Sequence, residues 1–270
     1  MASNGTEGAA RVADVLLLFT GATPSLGVTA VARRLGFSKA VVHRILRTLV
    51  DRQLLASDPA TRGYRLGPAA AAIGAQALRD SDLRTVALPV LHKLQAPTGE
   101  TTTVSSPVPG GRVYLAQVES GNEIKMTVEL GRRFPLHAGA SSRAILAFLP
   151  PAEQEDVIAS ATPLTAITIV DPARLRASLE EVRRQGVAQS EGEREPGASA
   201  VAAPVFDLDG RVTGAISVCG PISRMGVHVR GDLVPLVRAA ADGISQSLGW
   251  RGGLPDEASR TSAARRTTAS

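Results

Sequence analysis

The chain has 270 residues, a formal net charge of +5 and a single cysteine, Cys219. Its length suits one large domain or two ordinary ones, and a hydrophobic content of 44% is enough for a packed core. An intramolecular disulfide and a cysteine-built zinc site are excluded, and we find neither an apolar run of membrane-spanning length nor a secretion signal, so we expect a cytoplasmic protein without structural metal.

Positive charge is concentrated towards the N-terminus. Residues 1–78 contain nine Arg or Lys and four Asp or Glu, whereas residues 79–250 contain 17 and 19. A basic first third followed by a near-neutral remainder indicates one module that meets a polyanion and one that does not.

The first 35 residues predict two helices. Residues 1–8 are small and polar, and we expect them to be disordered. Residues 9–20 have apolar side chains at spacings of three and four, which predicts the first helix. Thr29 is placed to cap a second helix over residues 30–35.

A third helix and a hairpin follow. Gly36 suits the left-handed conformation of a tight turn, and Ser38 is placed to cap a helix that runs to about Arg52. Two short stretches, 54–56 and 64–66, flank the turn-rich segment DPATRG and predict a hairpin. Three helices followed by a hairpin is the order of a winged helix-turn-helix.

The third helix would have an apolar face and a basic face, largely opposed at about 100° per residue. Most basic helix faces are only solvated surface. Here the preceding short helix, the following hairpin and the local excess of positive charge favour DNA binding, because arginine can bind both phosphates and base edges. The residues that we assign to the DNA interface are Ser38, Lys39, Ala40, His43, Arg44 and Arg47 on the helix, and Arg62 and Arg65 on the hairpin.

Two further helices and an α+β domain complete the predicted order. Pro68 suits the first turn of an alanine-rich helix, residues 80–82 cap the next helix, and we place the domain boundary between the two. Strands are expected at 101–106, 112–118, 123–130, 198–206 and 212–219, and helices at 141–149, 152–160, 172–185 and 229–248. The tail over residues 251–270 is small, polar and basic, and we expect it to be disordered.

Several of these segments together resemble one family. The stretches RVADVLLLF, VARRLGFSKAVVHRILRTLVDRQLL, RFPLHAGASSRAILAFLP and DLDGRVTGAISVCGPISR are similar to the IclR family of bacterial transcription regulators, over about residues 9–249. The resemblance implies a winged helix-turn-helix domain over residues 9–68, a linker helix over 69–80, and a GAF-like effector-binding and oligomerisation domain over 81–250, with an antiparallel sheet and flanking helices. It also implies a homodimer or dimer of dimers on double-stranded operator DNA.

The resemblance further implies an effector pocket in the second domain. Ala140 and Ser141 would offer backbone N–H groups to an anion at the start of a helix, and Ser217 and Cys219 would share one strand face. A carboxylate or aromatic acid is the candidate class of small-molecule effector. The residues that we assign to the pocket are Met126, Ala140, Ser141, Ser190, Ala200, Ser217 and Cys219.

Purely structural interpretations of these residues remain open. Met126 is typical of a core side chain, Cys219 of a small buried hydrophobe, and His137 of a hydrogen-bonded core histidine. Glu191, Glu193 and Glu195 predict a solvated acidic loop.

The sequence thus indicates a ligand-responsive transcription regulator, a repressor rather than an activator, of a metabolic or catabolic operon. Two alternatives are a small-molecule-binding or hydrolytic enzyme of GAF-like fold, and a DNA-binding protein whose second domain only dimerises. The chain lacks a Gly-x-Ser-x-Gly elbow, a glycine-rich phosphate loop and a two-histidine metal motif. We therefore expect no catalytic residues and no cofactor.

Overall fold

The computed structural model describes residues 4–21, 23, 25–58 and 63–255. The chain folds as two units: one extends to Asp80 and includes Gly131–Arg133, and the other contains Ser81–Leu130 and the residues from Phe134 onward. Each unit has a hydrophobic core of its own. No helix among the described residues is long and apolar enough to cross a membrane.

Three helices open the first unit, namely α1 (Asn4–Leu17, continued by a 3-10 turn), α2 (Val28–Leu35) and α3 (Lys39–Asp51). The expectation of disorder up to residue 8 is wrong from Asn4 onward, because α1 begins there. Glu7 and Arg11 form an ion pair one helical turn apart, a contact that stabilises the start of a helix. Residues 1–3 lie outside the described residues.

The turn between α2 and α3 has the predicted geometry. Gly36 ends α2 in the left-handed conformation, with φ at 70°, and the Ser38 hydroxyl accepts a hydrogen bond from the Val41 backbone N–H at 3.4 Å. The predicted cap at Thr29 is wrong. Gly27 occupies the cap position of α2 without a side-chain hydrogen bond, so Thr29 lies inside the helix.

The hairpin pairs β1 (Leu55–Asp58) with β2 (Gly63–Leu66) in antiparallel register. Leu26 and Tyr64 exchange two backbone hydrogen bonds of 3.0 Å, which tie the hairpin to the segment before α2. A core that includes Val31, Leu46 and Leu55 lies under the three helices and the hairpin. Helix α4 (Pro68–Arg79) follows and buries none of its residues.

A six-stranded sheet organises the second unit, in the order β5-β4-β3-β8-β7-β6. The strands are β3 (Thr101–Val108), β4 (Gly111–Val118), β5 (Arg133–Phe134), β6 (Ala188–Glu191), β7 (Ala198–Phe206) and β8 (Val212–Pro221). The pairings of β3 with β4 and β8, and of β7 with β6 and β8, are antiparallel.

Helices cover the two faces of this sheet. Helices α5 (Asp82–Thr98) and α9 (Val227–Ser247) pack on the face that carries Val201 and Ala203. Helices α6 (Ala140–Leu146), α7 (Pro151–Ala159) and α8 (Pro172–Gln185) share the core of the other face, to which Ala202 belongs. Successive side chains of β7 point to opposite faces of the sheet, so they belong alternately to the two cores.

The strand predicted at residues 123–130 is wrong. Met126 and Val128 do turn inward, as an alternating pattern requires, but the backbone bonds to side chains instead of a neighbouring strand. The Thr101 hydroxyl donates to the Met126 carbonyl at 2.6 Å, and the Gln117 amide oxygen accepts from the Val128 N–H at 2.9 Å. Only Leu130 forms an isolated bridge, with Tyr114.

The beginning of the expected disordered tail is held against the second unit. The Trp250 indole N–H donates to the Gly253 carbonyl at 3.1 Å, and Leu254 packs on the core shared by α6 and α8. The expectation of disorder is therefore wrong for residues 251–255, because these apolar and ring contacts fix them. Residues 256–270 lie outside the described part of the chain.

Candidate functional site

The outward face of α3 is polar and basic. Its apolar residues Val42, Leu46 and Leu49 are buried. The residues assigned to the DNA interface are solvent-exposed wherever the structure describes them, namely Ser38, Lys39, Ala40, His43, Arg44, Arg47 and Arg65. Arg62 lies outside the described residues.

The cations of this face are not neutralised within the described chain. Lys39, Arg44 and Arg47 form no ion pair with a described residue, and neither does Arg65 on β2. Solvated cations on an exposed helix can pair with phosphates and displace condensed counterions. The face is chemically suited to a polyanion.

A cavity of about 30 Å³ lies in the second unit, between the sheet, the start of α6 and the loop after β6. All seven residues that we assigned to the effector pocket line it, namely Met126, Ala140, Ser141, Ser190, Ala200, Ser217 and Cys219. The volume suits about one water molecule. An organic ligand would therefore enter only if long side chains in the lining, such as Met126 or Arg194, moved aside.

Three of the lining residues form one row across the sheet. Ser190 on β6 lies opposite Ala200 on β7, and Ala200 lies opposite Cys219 on β8. Ser217 shares the strand face of Cys219, two residues away. Its hydroxyl is hydrogen-bonded to the Thr103 hydroxyl, with the oxygens 2.7 Å apart. The sequence did not predict β6, so it could not predict that Ser190 lies beside Ala200 and Cys219.

Cys219 is suited to packing rather than to chemistry. Burial raises the pKa of its thiol to about 12, while the positive charges of Arg194 and Arg112 oppose this shift and the Glu100 carboxylate adds to it. The thiol therefore stays protonated at neutral pH, and a protonated thiol is a poor nucleophile.

The start of α6 is capped from within the protein. The Ala140 N–H donates to the Ser190 hydroxyl at 3.0 Å, and the Gly139 N–H donates to a Glu193 carboxylate oxygen at 3.2 Å. In this conformation the Ala140 N–H is not free for an external anion, contrary to expectation. The reason is that Ser190 on β6 supplies a hydroxyl and Glu193, in the loop after β6, supplies an anion.

The expectation of a solvated acidic loop is wrong for Glu193. Its side chain is buried and forms an ion pair with Arg143 of α6. Its backbone carbonyl accepts hydrogen bonds from the hydroxyls of Thr165 and Thr168, at 3.3 and 2.6 Å. Glu193 therefore anchors the loop through both its side chain and its backbone carbonyl.

Two arginines that we did not single out from the sequence also line the cavity. Arg112 on β4 donates from Nε to the Ser142 hydroxyl at 2.8 Å and from Nη2 to the Tyr114 hydroxyl at 2.9 Å. Its guanidinium lies 4.3 Å from the centroid of the Tyr114 ring. The guanidinium of Arg194 lies 4.8 Å from the centroid of the Phe134 ring. Two cations therefore face a cavity for which we had assigned none.

His137 does not line the cavity. It is buried, and its Nε2 lies 2.8 Å from the Thr162 carbonyl oxygen. Burial lowers the pKa of His137, and the hydrogen bond to Thr162 and the charge of Glu193 offset only part of this effect. These contacts fit the interpretation as a core histidine.

Comparison with known families decides the class of protein. Residues 8–59 match the IclR helix-turn-helix domain, and residues 75–246 match the C-terminal domain of bacterial IclR transcriptional regulators. The chain belongs to the IclR family. It is therefore a transcription regulator with a helix-turn-helix unit, not an enzyme.

This chain is similar to known transcription regulators over most of its length. It is 34% identical to the HTH-type transcriptional regulator BhcR of Paracoccus denitrificans over 225 residues, which cover 83% of this chain and 80% of BhcR. It is 30% identical to the HTH-type transcriptional repressor AllR of Klebsiella pneumoniae over 252 residues, 93% of each chain.

Solved structures of IclR regulators share the fold. One from Silicibacter sp. TM1040 has a TM-score of 0.81 at 31% identity and covers 93% of this chain and 98% of its own. An IclR homolog from Microbacterium hydrocarbonoxydans, complexed with 4-hydroxybenzoate, has a TM-score of 0.67 at 27% identity and covers 89% and 98%.

Proposed function

We propose that this IclR-family regulator represses a catabolic operon and that a small organic acid in the cavity of the second unit changes its affinity for the operator. The observation that carries the proposal is that a single cavity is lined by the seven assigned residues and by two arginines that pair with no described carboxylate. The 4-hydroxybenzoate complex of one structural neighbour and the repressor name of AllR support the same assignment.

On this proposal, α3 enters the major groove and the hairpin reaches the neighbouring backbone. One recognition helix reads only a few base pairs, so we expect a homodimer or dimer of dimers on a roughly palindromic site. Domains over residues 9–68 and 81–250 would be joined by the linker helix over 69–80. Ile73 of that helix is 62% exposed, which suits an apolar arm between copies. The protein would act in the cytoplasm, on chromosomal DNA.

Regulation requires that the two sites share a coupling free energy. An acid bound at the cavity would favour one arrangement of the dimer and so change how two winged helices match two half-sites. Typical couplings change affinity about 5–150-fold, so we expect the acid to change operator affinity by a factor in this range.

The test combines operator selection with ligand titration. The full-length protein would select its site from random-sequence DNA, and binding to that site would be measured by fluorescence anisotropy with and without 4-hydroxybenzoate, benzoate or pyruvate. We expect at least one acid to change the affinity by about fivefold or more. Ala200→Leu, which fills the cavity, should lose the response, whereas Ala239→Leu, at an exposed position of α9, should keep it. Operator binding that no acid alters would support a second domain that only dimerises.

A further inference from the structure

The charge of Arg112 is buried and has no anionic partner in the part of the chain that the structure describes. The residue is only 1% exposed, and its hydrogen-bond partners, Ser142 and Tyr114, are neutral. Nη1 has no hydrogen-bond partner among the described residues. Arg112 forms no ion pair with any described residue. A buried cation in this state is unfavourable unless an anion joins it.

Two other arginines of the second unit with little exposed side chain are neutralised by carboxylates. Arg143 pairs with Glu193, and Arg230, with 11% of its side chain exposed, pairs with Glu191. Arg112 has no carboxylate partner among the described residues, and of these three arginines it is the one that lines the cavity. Its missing counter-charge therefore coincides with the candidate effector site.

The acidic residues around the cavity do not supply that counter-charge. Glu193 is engaged by Arg143 and by the Gly139 N–H, and Glu195 is exposed to solvent. Arg194 adds a second positive charge to the lining, without an ion pair to a described residue. The interior of the cavity is therefore positive in balance.

The guanidinium is held in a fixed orientation. The Ser142 hydroxyl donates to the Pro135 carbonyl at 2.9 Å, so its oxygen is free to accept from Arg112 Nε. The Tyr114 ring lies against the guanidinium, and the Tyr114 hydroxyl accepts from Nη2. These contacts leave Nη1 as the available donor group of a preorganised cation.

We propose that Arg112 anchors the carboxylate of the effector and that Arg194 contributes the second positive charge. The inference rests on the proposed function and specifies the ligand as a small monocarboxylate with an apolar body. A planar carboxylate matches a planar guanidinium, and Met126, Val128 and Ala200 provide an apolar lining for the rest of the molecule.

Calorimetric titration of the full-length protein tests the anchor. The probes are benzoate, 4-hydroxybenzoate and pyruvate as carboxylates, benzamide as the neutral counterpart of benzoate, and methyl phosphate as a different anion. We expect wild type to bind at least one carboxylate and to prefer benzoate to benzamide. Arg112→Met should weaken carboxylate binding on the order of 30-fold or more, and Arg112→Lys should weaken it less. The matched control is Arg184→Met, at an exposed arginine of α8, which should bind like wild type.

Thermal unfolding without ligand separates anchoring from a structural role. Arg112→Met removes an uncompensated buried charge, so its unfolding temperature should not fall below that of wild type. Two results together would assign Arg112 to the fold and overturn the proposal. They are a lowered unfolding temperature in Arg112→Met and a wild-type affinity for carboxylates in Arg112→Lys.

Other results overturn the proposal in distinguishable ways. If benzamide or methyl phosphate binds as well as the carboxylates and still changes operator affinity, the effector function stands and the anchor is wrong. If Arg112→Met binds carboxylates like wild type, the anchor is also wrong. If no probe binds and none changes operator affinity, both the anchor and the proposed acid effector fail.

Discussion

Arg143 and Glu193 form an ion pair between α6 and the loop after β6, with only 6% and 10% of their side chains exposed. The same carboxylate accepts a hydrogen bond from the Gly139 N–H. One pair thus fixes both the start of α6 and the loop that closes the cavity. Its removal should affect the stability of the whole second unit.

Glu193→Gln should destabilise the protein by about 3–5 kcal/mol, because Arg143 is left as a buried charge without its anion. Replacing both residues by Met should cost less, since no charge remains. Urea unfolding followed by circular dichroism measures the difference. Glu181→Gln breaks an exposed arginine pair on α8 and should change the stability little. Equal effects of the buried and exposed substitutions would contradict the assignment.

Arg44→Ala and Arg47→Ala should each weaken operator binding without lowering the unfolding temperature, because both side chains are exposed. A contact to a base should cost about 1–3 kcal/mol and relax specificity, whereas a phosphate contact should weaken all sequences alike. Arg184→Ala, in the second unit, is the matched control. Wild-type affinity in both α3 variants would mean that this face does not meet DNA.

His137 should make stability depend on pH. Its pKa is lowered in the folded protein by burial, so between that value and about 6.5 the unfolded chain binds more protons than the native one. Stability therefore rises with pH through this window and is lost as the pH falls through it. Unfolding temperatures from pH 5 to 8 should show a smaller slope in His137→Gln than in wild type. His92→Gln, at an exposed position, should retain the wild-type slope.

Cys219 should react slowly with thiol reagents in the native protein. The raised pKa of about 12 leaves almost no thiolate at pH 8, so labelling with a disulfide reagent should be at least about a hundredfold slower than for a cysteine of ordinary pKa near 8.5. Because the chain has one cysteine, absorbance reports this site alone. Labelling should become fast in urea, and fast labelling under native conditions would place Cys219 in a more polar environment.

Local patterns were sufficient where local interactions determine the structure. The spacing of apolar residues predicted α3, and its capping Ser38 and the left-handed Gly36 are where the sequence placed them. The pocket residues on α6 and β8 were instead assigned from the resemblance to the IclR family, and they line one cavity. The helix α3 and its caps depend on neighbours within a few residues, whereas the cavity joins segments that are distant in the chain.

Features determined by distant partners were not predictable from the pattern. Segment AQSE forms β6 only because it pairs with β7, and its own composition is polar. The register shift between Val104 and Ser105 places Ala116 in the core with α5 and α9, while Arg112 and Tyr114 line the cavity. A regular alternation across β4 would have put all three on one face. Because of this irregularity, the sequence pattern did not predict that Arg112 lines the cavity.

The small cavity also has a kinetic consequence. With a volume of about 30 Å³, the conformation described here must open before an organic acid can occupy it. Association would then proceed through a minor open population, and the observed rate in stopped-flow mixing would stop rising at high acid concentration and approach the opening rate. Displacement of the Met126 and Arg194 side chains, rather than the arrival of the acid, would then limit how fast the regulator responds.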